Sequence, residues 1–340
     1  MRKQFRVDVL NVHESIDDVA STSAGQVPVL FHGGGCVKNA PWYALMVLAA
    51  GSCFGLISPM LKISYNFGFT AAEATDVQYV LGLIPLWLMM PFWRQGKKHI
   101  RRGQWPILAV IGLASAATSY TYYSALLYLP ASLAIVLLFQ FTWMVMLIDI
   151  VVTRKVPSRP KWIGAGLIVV GTILAVGLFE ERFAHFPLWT IAFGLLAGLS
   201  YAITLYLSAY VDSDTSPVLR SAVIVTIATL IVFIPFPPMF VQHIGAVKNF
   251  WAWGFLMALF SQIVPPILMM IAIPHTGGRM AGVLGSVELP VAVLSAWLIL
   301  GEQVNLMRWI GVILILAGII ISEWPTREEP ELLPRNPESI

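Results

Sequence analysis

A glutamate stands inside an apolar run of this sequence. Residues 285–302 read GSVELPVAVLSAWLILGE, and Glu288 lies two positions before Pro290. A carboxylate in such surroundings is costly unless it faces protein or water. It can exchange a proton or bind part of a solute, or it can be a structural group hydrogen-bonded to a neighbouring helix. Pro290 lacks an N–H, so it frees a backbone carbonyl one turn earlier, near Ser286. Other polar side chains lie well inside apolar runs. Tyr120, Tyr123 and Ser124 are spaced three and four apart, on one helical face. Gln140 and Trp143 are one turn apart, Tyr201 and Thr204 lie near Ser200, and Gln262 stands in a later run. A tyrosine offers an apolar body and a hydroxyl, which suits a cavity for an amphipathic solute or an interfacial belt. The amides and hydroxyls suit a wet binding space or interhelical hydrogen bonds.

These residues do not assemble into a known catalytic constellation. PVLFHGGG, ending at Gly35, looks like an oxyanion motif, but that chemistry needs a G-x-S-x-G elbow after a strand. The nearest stretch, Gly198-Leu199-Ser200-Tyr201-Ala202, lacks the second glycine and lies inside an apolar run. Metalloprotease and phosphate-loop motifs are missing, and Cys36 and Cys53 have no metal-ligand spacing. The expectation is therefore a non-enzyme with no cofactor and no metal.

The elements that position these residues follow from composition. Of 340 residues, 58% are hydrophobic and 11% charged, and the mean hydropathy is +0.78. Such a chain dissolves in bilayer rather than water. A net charge of +3 gives no reason to expect a nucleic-acid partner. Apolar runs start near residues 41, 72, 105, 130, 161, 187, 217, 250, 278 and 305. Each is about 20 residues long, enough to cross the hydrocarbon as a helix. The predicted class is an all-α polytopic membrane protein with ten transmembrane helices. Residues 1–40 read as a disordered tail and 323–340 as a C-terminal tail. Ten passes put both tails on one side, and seventeen of the Lys and Arg residues fall on that side. Only Lys62, Arg182, Lys248 and Arg308 fall on the other. By the positive-inside rule both termini face the cytoplasm.

The chain also repeats itself. A shift of 147 residues places Trp162-Ile163-Gly164, Leu167-Ile168 and Gly171 on Trp309-Ile310-Gly311, Leu314-Ile315 and Gly318. The units are 41–178 and 187–322. Five helices per unit make the second copy enter the membrane from the opposite side. That is the inverted-repeat plan of secondary transporters, with solute bound between the halves near the midplane.

The second half, SVELPVAVLSAWLILGEQVNLMRWIGVILILAGI, resembles the EamA family of the drug/metabolite transporter superfamily. The resemblance rests on Glu288 with Pro290, on Gly301-Glu302, and on the helix from Gly311 to Gly318. The first half departs from it: Phe141, beside Gln140, stands at the position matching Glu288, and Lys155 matches Glu302. Near the start of the second run, where relatives often carry Arg, stand Asp76, Val77 and Gln78. Lys62 matches a lysine common after the first helix of relatives and is a gating candidate with Glu288 and Pro290. The resemblance implies a secondary transporter of small organic metabolites, amino-acid-like or amphipathic, in the inner (plasma) membrane, often for efflux. The candidate solute-binding residues are Tyr120, Tyr123, Gln140, Trp143, Tyr201, Thr204, Gln262 and Glu288. A nucleotide-sugar or lipid-type carrier and a channel-like pore are the alternatives, and both a monomer and a homodimer stay open.

Overall fold

A computed structural model describes residues 40–93, 96–154, 156–176, 186–208, 210–211, 215–233, 250–276 and 283–322. Apart from Ala40, the two tails lie outside the described residues, as do Lys155, Arg182, Lys248 and Arg279. The helices are α1 Ala40–Asn66, α2 Ala71–Met89, α3 Trp105–Tyr128, α5 Arg159–Val176, α6 Leu188–Ser208, α7 Pro217–Phe233 and α10 Leu306–Ser322. Between them, α4 runs as Ala131–Leu138 and Phe141–Thr153, and α9 is Glu288–Leu300 with a short helical lead-in at 283–285. The remaining helix, α8, runs as Phe250–Ala258, a π-helical turn at Leu259–Ile263, and Val264–Thr276. Pro265 and Pro266 supply no N–H to the carbonyls one turn before them, and the turn widens so that the Val264 N–H reaches Leu259 O. Among the described residues, five stretches are long and apolar enough to cross a bilayer: Pro41–Asn66, Ala131–Thr153, Leu188–Ser208, Trp251–Met269 and Val283–Leu300. The chain is a multi-pass membrane protein.

Packing follows the duplication. α3 lies on α6 as α8 lies on α1, and α3 meets α7 as α8 meets α2. α4 packs on α6 as α9 packs on α1, while α2–α7, α4–α9 and α5–α10 pair across the pseudo-twofold axis. Most of these contacts join one repeat to the other, so neither five-helix unit holds its core alone. The face on which the chain enters α1 and leaves α10 is called here the tail face, and its opposite the far face.

The repeated Trp-Ile-Gly motif is the α5–α10 seam. A Cβ added at Gly164 would come within 2.5 Å of Gly318 O, and one at Gly318 within 2.7 Å of Gly164 O. One added at Gly171 would come within 2.7 Å of Gly311 O, and one at Gly311 within 2.5 Å of Gly171 O. Without much water-driven attraction inside lipid, helices associate through close backbone approach, and only glycine permits this one.

The ninth helix differs from the sequence expectation. The run read as one helix from residue 278 is broken at Ser286–Val287, so Glu288 opens a new helical segment instead of sitting in its interior. Pro290 then falls in a first turn, where a missing N–H costs little. The break has a twin 147 residues earlier: α4 is broken at Phe139–Gln140 and resumes at Phe141. In both, the donor that would bond the carbonyl four residues back shifts by one. Thr142 N–H donates to Phe139 O at 3.3 Å and Leu289 N–H to Ser286 O at 3.1 Å. Leu138 O and Gly285 O thereby lose their helical donors. Each instead lies over a glycine of the opposite repeat's first helix. A Cβ on Gly51 would come within 2.8 Å of Gly285 O, and one on Gly198 within 3.0 Å of Leu138 O. The two broken helices also end alike, in left-handed caps at Arg154 (φ 55°) and Gly301 (φ 68°). Arg154 bears roughly 1 kcal/mol of strain that Gly301 avoids.

Candidate functional site

Glu288 opens the second segment of α9 near the α4–α9 crossing, at mid-helix depth. Its side chain is half-buried, and its carboxylate makes no hydrogen bond among the described residues. It lies within coulombic reach of the Tyr122 and Tyr201 hydroxyls. The mirror residue Phe141 meets Tyr201 edge-on, with ring centroids 4.9 Å apart, and packs at a tilt against Phe139 at 5.3 Å. The crossing thus has a carboxylate on one broken helix and an aromatic wall on the other, joined by Tyr201 of α6.

The remaining predicted residues fall into two groups. Tyr201, Trp143, Thr204, Tyr120 and Gln262 are half-buried. The Thr204 hydroxyl donates to Ser200 O at 3.1 Å, within its own helix. Gln262 sits in the π-helical turn of α8 and packs over Gly82 of α2, where an added Cβ would come within 2.5 Å of it. Tyr123 and Gln140 are buried and engaged. Tyr123 OH donates to Gln78 Oε1, linking α3 to α2. Gln140 Nε2 donates to Thr172 Oγ1 at 2.6 Å and to Val136 O at 2.9 Å, and its Oε1 accepts from Trp143 Nε1 at 2.8 Å. That amide ties the α4 break to α5 and serves the Val136 carbonyl, whose helical donor, the Gln140 N–H, turns to Leu137 O instead.

Toward the far face a ladder of hydrogen bonds joins helices across the bundle. Ser58 Oγ and Tyr122 OH share one of 2.6 Å between α1 and α3. Tyr65 OH donates to Tyr123 O at 2.8 Å. At the end of the ladder Glu302, in the turn after α9, accepts from three donors at the start of α4. These are Ala131 N at 2.6 Å, Ser132 N at 3.1 Å and Ser132 Oγ at 2.7 Å. The first N–H groups of a helix lack internal partners, and Pro130 before them offers no capping side chain. A carboxylate from the other repeat supplies the cap, complements the helix dipole and makes charged hydrogen bonds. Lys62 lies within coulombic reach of Glu302 at the same face.

Two residues here were not drawn from the sequence as site residues. Tyr122 was passed over because the spacing of Tyr120, Tyr123 and Ser124 drew attention to a different face. Glu302 entered only as part of a Gly-Glu turn. The signal that finds it is a carboxylate placed opposite a helix start that has no cap of its own.

An inverted duplication of five helices, closed by paired broken helices with a half-buried carboxylate between them, defines a membrane transporter of small solutes. The chain belongs to the EamA-like transporter family, whose profile matches residues 41–177 and again 188–324. It is similar to the threonine/homoserine exporter RhtA of Salmonella typhimurium, 24% identical over 270 residues, which are 77% of this chain and 85% of that protein. The Escherichia coli exporter of the same name is 23% identical over 267 residues, with the same coverage. An uncharacterized transporter of Archaeoglobus fulgidus is 25% identical over 219 residues, 64% of this chain and 77% of its own. A crystal structure of a protein 13% identical in sequence shares the fold, with a TM-score of 0.50 over 82% of this chain and 96% of that one.

Proposed function

We propose that this transporter exports a small amino-acid-like solute across the inner membrane by alternating access, with both termini in the cytoplasm. The single observation that carries the reading is Glu288: a carboxylate without a hydrogen bond among the described residues, at the crossing of the two broken helices. Such a group is retained where it meets solute, a proton or water. The excess of Lys and Arg on the tail face supports the orientation, and the names of the exporter relatives support the solute class and direction. In this reading Glu288 and Tyr201 touch the solute, with Tyr120, Trp143, Thr204 and Gln262 completing the walls. Tyr123 and Gln140, already hydrogen-bonded, hold those walls in place. Pro290 keeps the α9 break open to bending, and Lys62 belongs to the far gate with Glu302.

The test is counterflow in proteoliposomes. Vesicles loaded with unlabelled threonine or homoserine are expected to draw in labelled threonine transiently, with a saturable initial rate. Flux that neither saturates nor shows counterflow would mean a pore. Glu288→Gln is expected to abolish the pH dependence of the flux. A variant that keeps the parent's pH profile would remove Glu288 from proton coupling.

A further inference from the structure

The first half of α2 is rich in polar side chains, and all but one of them are engaged within the fold. Glu73 completes a capping box: its carboxylate accepts from Thr70 N–H at 2.8 Å and from Thr70 Oγ1 at 2.9 Å. Thr75 Oγ1 donates to Ala71 O at 2.7 Å. Gln78 accepts from Tyr123, and Tyr79 OH donates to Ser115 O at 3.0 Å. Asp76 is the exception. It is 2% exposed, yet its Oδ1 meets no hydrogen-bond donor among the described residues.

The charges around Asp76 offer no compensation. Glu73, one turn earlier, lies within coulombic reach, and it is another acid. The helices packed on α2 are α3, α7, α8 and, to a lesser extent, α1. On α3 stand Tyr120, Tyr122 and Tyr123, the last two bonded to Ser58 and Gln78. On α1, Lys62 lies within reach of Glu302, and Tyr65 OH donates to Tyr123 O. The cation of α7, Arg220, stands in its first turn at the opposite, tail face. Phe250–Ile263 of α8 holds no titratable residue. Among the described residues no cation lies within coulombic reach of Asp76.

Packing does not require an acid here. The position 147 residues later is Val223 of α7, which is also buried. One repeat fills this place with a valine, the other with a carboxyl group of similar volume. A buried carboxylate with neither donor nor cation is stable only while a proton sits on it; in water the anion is stable alone. Asp76 lies five residues into α2 from its far-face start at Ala71, and α2 packs chiefly on α7 and α8, both of the second repeat. Parting of the repeats at the far face would bring water to it.

We propose that Asp76 is a proton-binding site that ties the far half of the bundle to pH: it takes a proton from far-face water as α2 closes on the second repeat and returns it when they part. The proposal rests on the alternating-access reading of the preceding section. Its role is distinct from that of Glu288, which is half-buried at the crossing and meets the solute. In counterflow the solute drives opening, and the pH profile stays that of Glu288. Asp76 sets the balance of the solute-free carrier, so acid at the far face holds that half shut once solute has left.

The test uses the full chain with Cys36 and Cys53 replaced, spin-labelled and reconstituted in nanodiscs without solute. The labels sit on cysteines introduced at Asn66, where α1 leads into α2, and at Leu188 of α6, both exposed at the far face and one in each repeat. In the parent a longer far-face population is expected to grow as pH rises. Release of one proton on opening sets the limit of that growth, about tenfold in the open-to-closed ratio per pH unit. Asp76→Asn and Asp76→Val, the second copying Val223, are expected to keep the short distance at every pH. Glu288→Gln is expected to retain the parent's slope. A slope that survives in Asp76→Asn or Asp76→Val would assign the proton to another group and overturn the proposal; the valine variant serves alone should the asparagine variant not fold. A parent that responds to threonine but not to pH would sink the proposal and leave the carrier reading standing. A parent that responds to neither would remove alternating access, and the proposal with it.

Discussion

The α5–α10 seam and the α4–α9 crossing both lie on the pseudo-twofold axis, yet the duplication has treated them differently. At the seam the residues themselves are kept twice: Gly164 and Gly171 meet Gly318 and Gly311, backbone against backbone. At the crossing only the backbone is kept. Both helices break at equivalent positions, both breaks lie over a glycine of the opposite repeat, and both helices end in a left-handed cap. The side chains there have diverged, with Phe141 against Glu288, Gln140 against Val287, and Trp143 against Pro290. In the proposed alternating-access cycle an inverted pair passes through two mirror-related shapes, and such a cycle needs the same backbone geometry twice. In the proposed function the crossing meets an asymmetric, amino-acid-like solute, and there the side chains are free to differ.

Disturbing the seam is expected to have the largest effect. Gly311→Leu drives a side chain into the backbone of Gly171 and Ala175. It should cost about 3 kcal/mol or more by overpacking and leave little monodisperse protein on size exclusion. Ile163→Ala, on the exposed side of α5, should stay within about 0.5 kcal/mol in the same melting measurement.

Exchanging the chemistry of the crossing sharpens the contrast. In the double variant Phe141→Glu with Glu288→Phe, the duplicated backbone should hold both breaks, so the protein should fold with a melting temperature near the parent's. Threonine counterflow should fall at least about tenfold, the equivalent of roughly 1.4 kcal/mol in the transport barrier. A swapped protein that transports like the parent would mean that the polarity of the crossing is irrelevant.

Smaller effects should come from the glycines under the breaks. Gly51→Ala places a methyl within 2.8 Å of Gly285 O and of Val287 Cγ1, while Gly198→Ala meets Leu138 O at 3.0 Å. Gly51→Ala should therefore destabilise more, by about 1–3 kcal/mol in a thermal melt, and slow counterflow more. The smallest change is Tyr122→Phe. It removes the hydroxyl that meets Ser58 and should cost about 1 kcal/mol. Equal melting of Tyr122→Phe and the parent would remove that rung from the ladder.

Much of this molecule could be read in its sequence. Helix starts expected near residues 41, 72, 105, 217, 250 and 305 lie at Ala40, Ala71, Trp105, Pro217, Phe250 and Leu306. Apolar length and flanking charge are local properties, and lipid enforces them. The breaks were less visible. Pro290 signals one, but no proline or glycine marks the α4 break, in a stretch reading LLFQFTW. That break arises where Gly198 of α6 lets the Leu137 and Leu138 carbonyls approach, a tertiary contact that leaves no mark in α4's own residues. Only the repeat could have carried the inference from Pro290 back to Phe141. The candidate site was legible as polar residues at one depth, Glu288 among them. The division between half-buried Tyr201 and hydrogen-bonded Tyr123 or Gln140 depends on partners far away in the chain, so spacing within one helix could not draw it.

Reactivity at position 288 tests the central claim most directly, that the two repeats meet at a wet crossing on the transport path. In a background lacking Cys36 and Cys53, Glu288→Cys is expected to react with a water-soluble, membrane-impermeant thiol reagent, and threonine is expected to slow that reaction. A folded variant that reacts from neither side of the membrane would place this position against acyl chains or sealed protein and contradict the account.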